Sequence, residues 1–307
     1  MLAIIAPGQG AQTPGMLAPW IEDGESKALL IQWSDAIGLD LVHLGVHAGA
    51  DEIKDTANAQ PLIVAVGLLS ARALNASGQF SFVAGHSVGE ITAAVIAGVL
   101  TPLDAMKLVR LRGVEMAKAA AITPAGMSAV LGGDREIVLK AIADAGLVAA
   151  NDNGGGQIVA AGNLEALAQL APEGARVRAL AVAGAFHTSY MEPAVEPMRQ
   201  LAATIEVSDP AVGVLSNKDG AVLTTGREIL DRIVNQIANP VRWDLCMQTL
   251  ATQGVTGAIE VAPAGTLVGL IKRATPTIEQ CALKTPAELE VAQNFLTTHT
   301  NTQARGN

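Results

Sequence analysis

Ser87 stands in the run Val83-Ala84-Gly85-His86-Ser87-Val88-Gly89-Glu90, between an apolar stretch, Phe80 to Ala84, and an Ala/Val/Ile-rich one, Ile91 to Leu100. A buried strand that gives way to a helix at a serine predicts a nucleophile elbow. Such a turn needs neighbours without bulk, which Gly85 and Gly89 supply, and it holds the hydroxyl at the positive end of a helix. The Val88 N–H then points at any oxyanion forming beside Ser87. A Gly-rich turn with a capping serine would look the same, so the chemistry depends on what the rest of the chain brings to this point.

A nucleophilic serine needs a base. His187, in Gly184-Ala185-Phe186-His187-Thr188, follows a strand and precedes a helix beginning near Met191. It therefore lies on a return loop, where sites are usually built, although a satisfied structural histidine fits there too. Thr101-Pro102-Leu103-Asp104 opens a helix with cap, first-position proline and capping acid. On that helix Ala105, Val109, Arg112 and Met116 recur at spacings of four, three and four, which turns Arg112 to the core and Arg110 away. A buried guanidinium is costly unless an anion meets it, and that anion is either an internal Asp or Glu or a ligand's carboxylate; a snorkelling Arg would avoid the cost. Gln9, flanked by Gly8 and Gly10 after the apolar run Leu2 to Ala6, can bring its backbone close to a ligand, or simply sit in a βα turn. Gln60, next to Pro61, reads as a helix-start residue explained by capping.

Elements at regular intervals must position these residues. Leu2 to Ala6 reads as a buried central strand, Ser26 to Ile37 and Ala59 to Leu74 as helices, and the helix from Pro102 as running to about Ala121. Between Ala125 and Ala183 the rhythm changes. Gly126–Leu131, Leu147–Asn151, Gln157–Ala161 and Arg176–Val182 read as strands, with helices at Arg135–Ala145 and Leu164–Leu170. That is βαββαβ, the ferredoxin-like order. Beyond it come a strand at Val212–Ser216, helices at Glu228–Ile237 and from Val241 to about Gln253, strands at Gly257–Ala262 and Ile278–Leu283, and helices at Leu267–Lys272 and Glu288–Leu296. The expected fold class is α/β: a large α/β-hydrolase-like parallel-sheet body, residues 1–122 and 186–296, with an inserted small ferredoxin-like (βαββαβ) subdomain, residues 123–185. A polar tail, 297–307, is expected to be disordered.

Of the 307 residues, 50% are hydrophobic and 16% charged, enough for a large core. The net charge of −9 and absence of a Lys/Arg block argue against nucleic-acid binding. Cys246 and Cys281 show no metal-ligand spacing and fit a reducing compartment. No basic-then-apolar leader and no apolar run of membrane-spanning length is read, so a cytoplasmic protein without a membrane partner is expected.

Gly8-Gln9-Gly10-Ala11-Gln12, Gly85-His86-Ser87-Val88-Gly89, Leu111-Arg112-Gly113, Gly184-Ala185-Phe186-His187 and Asn239-Pro240-Val241 occur together in the order and spacing of the malonyl-CoA:acyl carrier protein transacylases. The chain resembles that family up to about residue 296. The resemblance implies a malonyl transfer from malonyl-CoA to the phosphopantetheine thiol of acyl carrier protein, through a malonyl-serine, in fatty-acid or polyketide synthesis. It makes Ser87 the nucleophile, His187 the general base and acid, and Arg112 the partner of the malonyl carboxylate. The N–H groups of Gln9 and Val88 become the oxyanion hole, and the main-chain carbonyl of Gln236 orients the imidazole. The Ala185-Phe186-His187 triplet matches the family's malonyl selectors. Gln60, His86, Phe186 and Asn151 are candidate pocket residues, although the very Gly-rich loop Asn151 to Gly156 departs from the family pattern there. No metal or cofactor is implied, and a monomer is expected. Carrier proteins are acidic and so is this chain, so docking should use a local basic cluster including Lys272 and Arg273. An α/β-hydrolase-type esterase would instead need a late histidine, for which only His299 is available, and a non-catalytic scaffold would need none of these residues.

Overall fold

The strands, in chain order, are β1 (Leu2–Ala6), β2 (Phe82–Gly85), β3 (Gly126–Gly132), β4 (Val148–Asp152), β5 (Gln157–Gly162), β6 (Ala175–Ala179), β7 (Gly213–Leu215), β8 (Val222–Leu223), β9 (Val241–Arg242), β10 (Gly257–Glu260) and β11 (Glu279–Ala282). In the computed structural model, which describes residues 1–301, they form two sheets, one ordered β11-β10-β1-β2-β7-β8 and the other β6-β3-β5-β4-β9. The first is parallel except for β8, which pairs antiparallel with β7. Every residue of β1 is buried, as a strand paired on both edges and covered on both faces requires. Ala6 lies opposite Gly85 in the register, and the His86 N–H donates to the Ala6 carbonyl at 2.9 Å. The loops after β1 and β2 thus leave the sheet side by side at its carboxyl edge, where open α/β sheets form crevices.

Strands β3 to β6 follow the expected βαββαβ order with the helices Arg135–Asp144 and Leu164–Gln169. Their pairings with one another are antiparallel, and Val130, Val138, Ile142, Ile158 and Leu167 form a core of their own. The fifth strand of this sheet is a correction. Val241–Arg242, expected to begin a helix, pairs in parallel with Asn151 and Asp152, and the helix starts only at Trp243. A two-residue strand has no periodicity to read; its partner decides it.

Two helices also differ from expectation. The apolar helix read from Ala59 starts at Thr56, where Asp55 accepts from the Ala57 N–H at 2.8 Å, so Pro61 lies inside it. Proline leaves the Ala57 carbonyl without its intrahelical donor. Arg110 Nη1 donates to that oxygen at 2.9 Å. The helix is long and apolar enough to cross a membrane by length and composition, contrary to the sequence reading, but 72% of its apolar window is buried inside the protein. The last helix, expected to end at Leu296, runs Leu289–Asn301. The hydroxyls of Thr297 and Thr300 donate back to the carbonyls of Gln293 and Leu296 at 2.9 and 2.8 Å, and His299 is buried against Phe295. The expectation of disorder therefore fails over 297–301, and residues 302–307 lie outside the described residues.

Candidate active site

The elbow at Ser87 is dictated by crowding. A Cβ on Gly85 would stand 2.0 Å from the carbonyl carbon of Gly89, and one on Gly89 would stand 2.2 Å from the Ala6 oxygen. Only glycine permits β2 to turn this sharply into the Gly89–Ile96 helix. Ser87 and His187 both hold positive φ, 54° and 62°, a conformation shared among the described non-glycine residues only by Asn75. Each such residue stores about 1–3 kcal/mol of strain, which its surroundings must offset.

Those surroundings are polar and buried. Ser87 Oγ is 2.7 Å from His187 Nε2, and His187 Nδ1 is 2.9 Å from the Gln236 carbonyl. A carbonyl can only accept, so Nδ1 carries the proton and Nε2 is left free to accept from the serine hydroxyl. The Gln236 oxygen is available because the Gly226–Asn235 helix ends there. Burial, and then the positive charge of Arg112, lower the His187 imidazole to about 3, so it is neutral at ordinary pH. Neither the Gln9 nor the Val88 N–H donates to an acceptor among the described residues. Gln9 lines the same cavity as Ser87, and Val88 follows Ser87 directly in the elbow.

Arg112 is 1% exposed, on the core-facing stripe as its spacing predicted. Its Nη1 donates to Gln60 Oε1 at 2.7 Å, and its Nη2 to Gln236 Oε1 at 3.0 Å and to Ser87 Oγ at 3.4 Å; Nε has no partner. Every partner is neutral. Burial lowers the guanidinium to about 10, with Glu90 opposing, so it keeps its charge. The internal ion pair weighed as an alternative is therefore not what holds this residue. Gln60 is also more than a capping residue: it is buried, and its Nε2 lies 3.4 Å from Gln9 Oε1, which links the β1 loop to the arginine.

A cavity of about 360 Å³ opens beside the pair, lined by Gln9, His86 and Ser87 from the loops of the larger sheet, Gln60 from the Thr56–Leu74 helix, Phe186 and His187 from the loop after β6, and Asn151, Asn153 and Val159 from the smaller sheet. All four candidate pocket residues thus reach it. His86 Nε2 lies 2.8 Å from Asn153 Oδ1, which joins the two sheets across the cavity floor. Sequence reasoning missed two residues. Asn217, at the end of β7, accepts from the Ser87 N–H at 2.8 Å, and buried Glu90 accepts from the Asn217 N–H at 2.6 Å. A carboxylate directly before the apolar run from Ile91 was the available signal. His299 contacts Thr256 and Phe295 instead of this site. Among the described residues no cluster of His, Cys, Asp and Glu could hold a metal.

A serine hydroxyl on a neutral imidazole, with two free N–H groups and a buried guanidinium that no carboxylate contacts beside it, is equipped to move a negatively charged acyl group. The acyl transferase domain family matches residues 4–304, and the chain belongs to that family. It is 50% identical to the malonyl CoA-acyl carrier protein transacylase of Mycobacterium bovis, over 96% of this chain and 100% of the relative. The crystal structure of MCAT from Mycobacterium tuberculosis superimposes with a TM-score of 0.93 at 50% identity, covering 96% of this chain and 100% of that one. A malonyl-transacylase solved in complex with its type II PKS acyl-carrier protein superimposes with a TM-score of 0.88 at 31% identity, covering 95% and 99%.

Proposed function

We propose that this chain transfers malonyl groups from malonyl-CoA to the phosphopantetheine thiol of an acyl carrier protein, supplying extender units for fatty-acid or polyketide synthesis. The observation that carries the reading is the buried Arg112 guanidinium, 3.4 Å from Ser87 Oγ and held by neutral oxygens alone. Burying a charge with no counter-ion in contact is costly. A malonyl group on Ser87 brings the missing carboxylate, which replaces an amide oxygen on the planar fork. The names of the relatives and the carrier-protein complex of one of them support the same substrates.

In the first half-reaction Ser87 Oγ attacks the thioester carbonyl while His187 Nε2 takes its proton, the Gln9 and Val88 N–H groups hold the oxyanion, and coenzyme A leaves as its thiol with that proton. In the second, His187 takes the proton of the pantetheine thiol, whose sulfur attacks the malonyl-serine and returns Ser87 to its hydroxyl form. Pairing of Arg112 with the substrate carboxylate removes much of the positive charge that depresses His187, so the proper acyl group strengthens the base. No step needs a metal or cofactor. On this reading residues 1–122 and 186–296 are the α/β-hydrolase-like body and 123–185 the ferredoxin-like insert, supported by the separate core of the latter. The enzyme works in the cytoplasm with its carrier protein. Labelled malonyl-CoA, incubated with and without holo-carrier protein, tests the assignment. Label on the carrier is expected; hydrolysis alone would make the chain an esterase, and an unlabelled protein would end the reading.

A further inference from the structure

The reacting groups share one buried support. Glu90 Oε1 accepts from the Asn217 N–H at 2.6 Å, and its Oε2 accepts from Gln236 Nε2. From there two arms run, tied to each other where Gln236 Nε2 also donates to Asn217 Oδ1 at 3.1 Å. Asn217 Oδ1 accepts from the Ser87 N–H at 2.8 Å while its Nδ2 donates to the Gly85 carbonyl at 2.7 Å, so one amide grips both sides of the nucleophile turn. Gln236 offers its carbonyl to His187 Nδ1 at 2.9 Å and its Oε1 to Arg112 Nη2 at 3.0 Å. Glu90 and Asn217 are 5% and 0% exposed, so water cannot substitute for either contact.

We propose that Glu90 and Asn217 are positioning residues for acyl transfer: through the two amides, one carboxylate fixes the serine turn, the imidazole and the guanidinium in a common frame. The donor and acceptor inventory makes the arrangement directional. Both Glu90 oxygens accept, which forces the NH₂ of Gln236 toward Glu90 and its Oε1 toward Arg112. A flipped Gln236 amide would present N–H groups to a guanidinium that has only donors. Burial pushes the Glu90 carboxyl up to about 8, and the N–H bonds from Asn217 and Gln236 together with the Arg112 charge pull it back toward the carboxylate. Glu90 does not touch Arg112, which leaves the guanidinium's reach toward the acyl group unoccupied by a protein carboxylate. Misplacement of reacting groups by about 1 Å costs on the order of 10²-fold in rate.

This inference rests on Ser87 being acylated, so the wild-type protein is the control. Single-turnover acylation of Ser87 is followed with malonyl-CoA and with acetyl-CoA, and each trace gives a limiting rate and a half-saturation concentration. Glu90→Gln keeps only one of the two acceptors, so its NH₂ must face either the Gln236 NH₂ or the Asn217 N–H, and either clash loosens the hold of Gln236 on Arg112. We expect it to raise half-saturation for malonyl-CoA by about 10-fold or more, with a smaller change for acetyl-CoA. Asn217→Ser releases the serine turn and one of the contacts of Gln236 Nε2, which keeps Glu90 and the Ser87 carbonyl as acceptors, and is expected to lower the limiting rate for both substrates by about 10–100-fold, with a smaller change in half-saturation than Glu90→Gln gives. Thermal melts accompany each variant, and if Glu90→Gln does not fold, Asn217→Ser carries the test. Absence of a wild-type adduct would remove the functional reading itself. A normal wild-type adduct with folded variants that acylate like wild type, or that lose rate and half-saturation indiscriminately for both substrates, would overturn the positioning role.

Discussion

The two sheets divide the work. The carboxyl edge of the parallel sheet and the helices packed on it supply the charged and proton-transferring groups of the site, Ser87, His187, Arg112 and Glu90, and the Gln236 oxygens that orient them. The antiparallel sheet supplies only amides and apolar wall, Asn151, Asn153 and Val159 among them. The first region is strained, buried and cross-linked by hydrogen bonds; the second touches it across the cavity through His86 and Asn153. Groups that must be held to fractions of an ångström sit on one rigid sheet, while shape is set by a separate body that can vary without disturbing them.

Changes on the parallel-sheet side should therefore be severe. Ser87→Ala should remove the acyl-enzyme and lower transfer by roughly 10⁶-fold, and an adduct of unchanged mass shift on that variant would place the nucleophile elsewhere. His187→Ala should slow both half-reactions by about 10²–10⁴-fold; wild-type transfer to carrier protein by the variant would exclude it as base. Its titration also has a stability signature. The folded-state value is lowered from 6.5 to about 3, so below 6.5 the unfolded chain binds a proton that the folded one refuses. Stability present above pH 6.5 should fall as pH drops toward 3, and His187→Asn should flatten that slope in urea titrations.

On the other side effects should be milder and fall on substrate fit. Asn153→Ala removes the contact to His86 and should cost about 1 kcal/mol of stability with less than 10-fold change in acylation rate; a loss as large as that of His187→Ala would erase the division of labour. Smaller still is the effect expected at the surface. Lys272 and Arg273 are exposed on the last turn of the Thr266–Ala274 helix, whose Thr266, Leu267 and Leu270 line the cavity. Reversing both charges should raise the apparent KM for carrier protein a few-fold and leave that for malonyl-CoA alone. Equal changes for both substrates would remove the patch from the docking surface.

The same division explains what was legible in the sequence. The elbow and the stripe of Arg112 are local, one a turn that only Gly85 and Gly89 allow and the other a helical spacing, and both could be read directly. So could the βαββαβ rhythm. What binds these pieces together is long-range. The link from Asn217 to Ser87 spans 130 residues and that from Gln236 to Glu90 spans 146, and nothing in the flanking pattern announces either. Gln60 was misjudged for the same reason, since its capping position is local and its Arg112 partner is not. At the C-terminus composition misled: threonines that look like a polar tail satisfy their hydroxyls within the helix.

The central claim is that Arg112 selects the acyl group by its carboxylate. Acetyl-CoA has none, so discrimination against it should come largely from this residue, with about 2–5 kcal/mol at stake for the unpaired charge. The decisive measurement is acyl-serine formation from malonyl- and acetyl-CoA in the wild type, Arg112→Ala and Arg112→Lys, with folding followed by circular dichroism. Arg112→Ala should lose malonyl transfer while keeping or gaining acetyl transfer, and Arg112→Lys should restore malonyl only in part, because a point charge lacks the planar fork. A folded Arg112→Ala protein that retains the malonyl preference would contradict the account.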